Sequence, residues 1–173
     1  MTDNSKSKTV TFKTSRGLIR IPRKELIHFP EGLFGFDDYT DFAVLDINDC
    51  KPFKSMLSAV ADGPDFVVVE PQVIFSNYNP LKSINALSDL GIGDPVDLVI
   101  LSLVTLAENP GDITLNLRGP IFINLVTRLA RQIILPDDTF RTKEPILPYR
   151  KRPRPLAETI QSRPLAFNGS GCF

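Results

Sequence analysis

Apolar and polar residues alternate through much of this chain, and the pattern is densest from Thr114 to Leu135. Leu115, Leu117, Ile121, Ile123 and Leu125 stand two apart on either side of Gly119-Pro120, which is strand periodicity broken by a turn or kink. A second apolar run, Leu129 to Leu135, stops at Pro136-Asp137-Asp138. Two or three consecutive core strands are expected here. Three amides, Asn116, Asn124 and Gln132, sit inside this apolar stretch and need partners. Either they turn outward or satisfy backbone groups at a bulge, or they form the polar rim of an apolar interaction patch.

The rest of the chain follows the same short-strand rhythm. Val10 to Thr14 and Leu18 to Pro22 alternate around Ser15-Arg16-Gly17, which predicts a hairpin with a three-residue loop and a positive φ at the glycine. In Glu31-Gly32-Leu33-Phe34-Gly35-Phe36, two glycines three apart are interleaved with large apolar residues, so this turn should tuck side chains under a sheet. Phe42 to Leu45, Pro52 to Leu57 and Phe66 to Glu70 read as short strands, the last stopped by Pro71. Residues 73–81 are aromatic but broken by turn formers. Ile84, Leu87 and Leu90, closed by Gly91, predict one short helix over about 83–90. Pro95 to Leu106 is the longest β-rich run and reads as a central strand buried on both faces. Short strands, strong turns and one helix point to an all-β barrel or sandwich.

Composition divides the chain into three parts. Residues 1–8 are polar and expected to be disordered. Residues 9–146 hold the strand pattern, and 147–173 form an extended Pro-rich basic tail. From Glu25 to Asp112 there are fifteen acidic and three basic residues, whereas from Leu147 onward there are five basic residues and one acid. An acidic body opposes direct phosphate binding and suits a basic protein partner; a solvated surface is the plainer reading of the same charges. The tail could act as a basic arm for nucleic acid or fold back on the protein's own acidic face. No apolar run reaches the ~18 residues of a membrane span. The polar start lacks a secretory leader, which points to the cytoplasm.

Little here suggests catalysis. His28 is the single histidine, flanked by Ile27 and Phe29, and reads as a core or edge residue. A nucleophilic triad would have to run entirely through it. The two cysteines, Cys50 and Cys172, have no Cys or His at metal-ligand spacing. Asp37-Asp38 and Asp137-Asp138 lack a defined ligand pattern. No catalytic, metal or cofactor site is expected, and the residues favour a binding module. Its candidate contacts are Phe34, Phe36, Glu70, Phe75, Tyr78, Asn116, Asn124 and Gln132. For the aromatics, ordinary core packing is the competing reading.

Several separated motifs, in order, resemble the flagellar assembly factor FliW family. Ile27-His28-Phe29-x-x-Gly32-Leu33-x-Gly35-Phe36 is similar to the family's glycine turn. Pro52-Phe53 with Leu57-Ser58, and Phe66-Val67-Val68 with Pro71, resemble two of its strands. Asn116-Leu117-Arg118-Gly119-Pro120-Ile121-x-Ile123-Asn124 and Gln132-Ile133-Ile134-Leu135 resemble its signature stretch, and Thr142 with Pro145-Ile146 its closing segment. The resemblance spans about residues 9–146. Phe34 stands where the family usually has Pro, Met56-Leu57 where it has Leu-Gln, and Gly119 where it has Ala.

What the resemblance implies is a mainly β, small β-barrel-like single domain without enzymatic activity, expected to be a cytoplasmic monomer. Such proteins bind newly made flagellin, in a chaperone-like manner, and antagonise the RNA-binding translational regulator CsrA. Flagellin and CsrA exclude each other, so flagellin secretion frees the factor to capture CsrA. The alternative reading is a nucleic-acid-binding β-barrel using the basic Arg150–Arg154 cluster.

Overall fold

The computed structural model describes residues 8–14, 17–83, 90–92, 94–136 and 138–147. The chain is mainly β, and the only helical elements among these residues are short 3-10 turns. The expected helix over 83–90 lies, from 84 to 89, outside the described residues; Pro80–Ser83 is a 3-10 turn. Residues 1–7 and the tail from 148 lie outside them as well.

Strands β1 (Thr9–Thr14) and β2 (Gly17–Pro22) form a separate two-stranded sheet. Their register pairs Thr14 with Gly17, so the ladder runs one residue further into the turn than a three-residue loop would allow. Gly17 has φ +108°, as the turn requires.

The main sheet is antiparallel. Its path runs from β10 (Ala130–Gln132) through β9 (Ile121–Asn124), β7 (Leu98–Thr105), β6 (Asp65–Val69), β5 (Lys54–Ser58) and β4 (Asp41–Asp46) to β3 (Ile27–His28). Off this path, β8 (Thr114–Leu115) pairs with β7, and β11 (Glu144–Pro145) pairs with β8. The expected mainly β architecture is present, and it is barrel-like only loosely, because the sheets do not close. A lone bridge from His28 to Leu129, with the His28 amide donating to the Arg128 carbonyl at 2.8 Å, brings the two ends together instead. A two-residue β3 cannot supply a full ladder for closure.

Consecutive residues of the central strands feed different cores, the signature of period two in a sheet covered on both sides. Val68, Leu101, Ile121 and Ile123 join Ile27, Phe29, Leu33, Phe42 and Met56 in one cluster. Val69, Ile100 and Phe122 join Tyr78, Leu115 and Leu117 in the second. Ser102 is as buried as its neighbour Leu101, so β7 is enclosed on both faces as its continuous apolar run predicts. The hairpin covers a third cluster, Phe12, Leu26, Ala43 and Leu57. Burying each large side chain in these clusters contributes roughly 1.5–3 kcal/mol.

The kink at Gly119-Pro120 separates β8 from β9, and a second turn at 125–129 separates β9 from β10. Asn124 makes most of the side-chain bonds that hold that turn, and Thr127 Oγ1 adds one by accepting from the Leu129 amide at 3.3 Å. Asn124 Oδ1 accepts from the amides of Val126 and Thr127 at 2.8 and 3.1 Å. Its Nδ2 donates to the carbonyls of Leu90 and Gly91 at 2.9 and 3.3 Å.

Candidate partner-binding surface

The glycine turn after β3 is built from the inside outward. Phe29 and Leu33 are buried, and the ring of Phe29 meets that of Phe42 edge-on at 5.3 Å. With both anchors inside, the intervening backbone must fold tightly. Gly32 adopts φ +68°, and a Cβ there would lie 2.6 Å from the Asp37 Cα, so only glycine fits. Backbone bonds from Gly32 to Phe29 (3.1 Å), Phe36 to Leu33 (2.7 Å) and Tyr39 to Phe36 (3.1 Å) complete the turn.

This geometry pushes two aromatic side chains outward. Phe34 is 58% exposed and Phe36 is 39% exposed. Phe36 is not loose: its ring stands edge-on to Phe66 at 5.0 Å and lies 6.4 Å from that of Tyr39. It therefore covers the rim of the first core while leaving an edge in solvent. Asp37 and Asp38, both exposed, follow directly.

Behind Phe34 the amides form a relay. The Phe34 amide donates to Gln132 Oε1 at 3.1 Å, and Gln132 Nε2 donates to the Gly119 carbonyl at 3.0 Å. The Gly119 amide in turn donates to Asn116 Oδ1 at 2.9 Å. The relay ties the aromatic turn to Gln132, 98 residues along the sequence, and through it to the 116–120 kink. Gly119 leaves little room in it: an added Cβ would lie 3.0 Å from Asn116 Nδ2, 3.2 Å from Gln132 Nε2 and 3.3 Å from Ile134 Cδ1. Ile134, nearly half exposed, thus flanks the same relay.

The eight candidate contact residues are not one cluster. Phe34 and Phe36 share the exposed turn, and Gln132 and Asn116 support it from behind. Asn124 is buried and its amide is fully engaged in the 125–129 turn. Tyr78 is buried as well, with its hydroxyl donating to the Leu117 carbonyl at 2.8 Å and its ring edge-on to Phe140 at 4.8 Å. Burial pushes its phenol well above the ordinary tyrosine pKa. Its ring is thus part of the second core and is not offered to a partner. Phe75 is half-buried against that core too. Glu70 is exposed just beyond β6, about 13 Å along the strand from Phe66 at the Phe36 end. Ile134 is not singled out by sequence, because it lies inside a continuous apolar run. For Asp37-Asp38 the available signal is a pair of acids beside an apolar turn.

His28 lies at the edge, its Nδ1 2.9 Å from Asp41 Oδ1, with both side chains substantially exposed. Among the described residues, no group of three or more His, Cys, Asp or Glu side chains could hold a metal ion. No helix among them is long and apolar enough to cross a membrane.

Comparison with known proteins is consistent throughout. The FliW protein family model matches residues 11–146. The flagellar assembly factor FliW of Clostridium beijerinckii is 33% identical over 131 residues, covering 76% of this chain and 93% of that protein. That of Alkaliphilus metalliredigens is 36% identical over 132 residues, covering 76% and 82%. That of Bacillus subtilis is 30% identical over 130 residues, covering 75% and 91%. A crystal structure of the flagellar assembly factor FliW superposes with a TM-score of 0.72 at 30% identity, covering 82% of this chain and 99% of the other. With its glycine turn, its amide relay and its open antiparallel sheet, the chain belongs to the FliW family of flagellar assembly factors.

Proposed function

We propose that this protein is a non-enzymatic, protein-binding regulator that holds newly made flagellin in the cytoplasm and captures CsrA when flagellin leaves. The observation that supports the reading is the exposed Phe34–Phe36 turn. It combines two aromatic side chains, a backing fixed by Gln132, and the adjacent carboxylates of Asp37 and Asp38. Rigid aromatics with a charged rim are what concentrate binding energy at protein interfaces. The acids favour a basic partner, as an RNA-binding regulator must be, by steering its approach.

The test is calorimetric titration of the purified protein against the host's own flagellin and CsrA, separately and in competition. Binding to each, with mutual exclusion, is expected, and Phe34→Ala should weaken at least one interaction tenfold or more. Binding to neither would overturn the proposal. A salt-dependent shift of RNA by the isolated protein would favour the nucleic-acid reading instead.

A further inference from the structure

The β1 edge of the hairpin has a defined polarity. The Arg23 amide donates to the Lys8 carbonyl at 2.9 Å, and every pair in the ladder keeps the same register. Lys8–Arg23, Val10–Ile21 and Phe12–Ile19 are therefore the hydrogen-bonded pairs, and the amides and carbonyls of Thr11 and Lys13 face away from β2. Among the described residues no backbone bond reaches Thr11 or Lys13 from that side.

This edge does not face open solvent. It borders a groove of about 650 Å³ whose opposite wall is the segment from Leu57 to Gly63, with Asp65 beyond it. Phe12 and Leu57, both buried, belong to the core beneath the groove. Leu18 and Val60, 73% and 52% exposed, form apolar lips. The groove is charged on both sides, with Lys13 and Arg23 on the hairpin side and Asp62 and Asp65 on the wall side; the two acids have no ion-pair partner among the described residues, and burial raises the Asp65 carboxyl above its ordinary pKa.

We infer that this groove is a strand-addition site for an extended segment of a protein partner, with apolar side chains at alternate positions and a basic residue for Asp62 and Asp65. Unpaired backbone groups spaced along a strand are satisfied by another strand, which supplies matching donors and acceptors at the same rise. Alternate apolar residues of the peptide would cover Leu18 and Val60. The site is separate from the Phe34–Phe36 turn and does not depend on which protein supplies the segment.

The test selects a displayed library of random twelve-residue peptides on the full-length protein, then measures the enriched peptides by fluorescence anisotropy. Thr11→Pro removes only the outward amide, which an edge strand tolerates, while Thr11→Val keeps it. Val60→Lys, at an exposed position, removes the apolar lip and places a positive charge beside Asp62 without touching β1. Enriched peptides should bind wild type and Thr11→Val alike, lose at least tenfold affinity on Thr11→Pro and Val60→Lys, and slow hydrogen exchange at the Thr11 and Lys13 amides. If Thr11→Pro fails to fold, Val60→Lys and the exchange pattern decide. No enrichment, unchanged affinity for Val60→Lys, or no added protection at Thr11 and Lys13 would overturn the inference. A protein that captures peptides in this way yet binds neither flagellin nor CsrA would refute the proposed function alone.

Discussion

Replacing Gln132 with leucine is the most direct probe of how the fold presents its aromatic turn. Gln132 is buried and its amide makes two bonds, accepting from the Phe34 amide and donating to the Gly119 carbonyl. Leucine fills similar volume, so a cavity contributes little. The two losses differ. Phe34 sits in an exposed turn where water can replace the acceptor, at a net cost of about 0.5–1.5 kcal/mol. The Gly119 carbonyl belongs to a buried residue and is left bare, at about 1–3 kcal/mol. Together Gln132→Leu should cost roughly 2–4 kcal/mol. For a chain of this size that is a fall in Tm of roughly 5–15 °C. Urea denaturation should show a lower midpoint with an unchanged m-value, since the native surface is retained. Gln132→Glu separates the two bonds, because the carboxylate still accepts from Phe34 but confronts the Gly119 carbonyl with a second acceptor. Its Phe34 amide should stay protected from hydrogen exchange while its stability falls. A loss below about 0.5 kcal/mol for Gln132→Leu, with the Phe34 amide still protected, would refute the relay as the turn's support.

Asn124→Ala should be the more damaging amide substitution, at about 3–5 kcal/mol, because four bonds are lost and the Val126 and Thr127 amides are uncovered; fast exchange at those two amides checks it. Gly32→Ala should cost about 3 kcal/mol or more, by combining a positive φ with a 2.6 Å clash against Asp37 backbone, and calorimetric unfolding measures it. The pH dependence of Asp46 follows from Lys54, 2.6 Å away, which lowers its carboxyl pKa first by hydrogen bonding and then by charge. Because the folded pKa is the depressed one, the pair's contribution is present above the ordinary carboxylate pKa and is lost as pH falls through the folded value. A carboxyl-carbon NMR titration should place the Asp46 midpoint below the ordinary carboxylate range, and Lys54→Met should bring it back.

Periodicity along the chain was enough to determine the longer strands, though not two-residue pieces such as β11. The alternation of Val10–Thr14 and Leu18–Pro22, the β-branched run before Pro71 and the continuous apolar stretch of β7 each specify which faces are buried, and burial follows chemistry. The glycine turn was legible too, since Gly32 and Gly35 stand where the backbone needs positive φ. Spacing could not reveal which ends meet. The open sheet, bridged among the described residues at His28 and Leu129, depends on the length of β3 and on contacts between residues about a hundred positions apart. The roles of the amides and aromatics were likewise decided in three dimensions. Tyr78 and Phe34 are both aromatics among turn formers, yet one bonds to Leu117 inside the core and the other stands in solvent over Gln132. A sequence records that an amide in an apolar run needs a partner. Only the folded chain, by bringing Gly119 and Phe34 to either side of Gln132, decides which partner it takes and which aromatic it leaves outside.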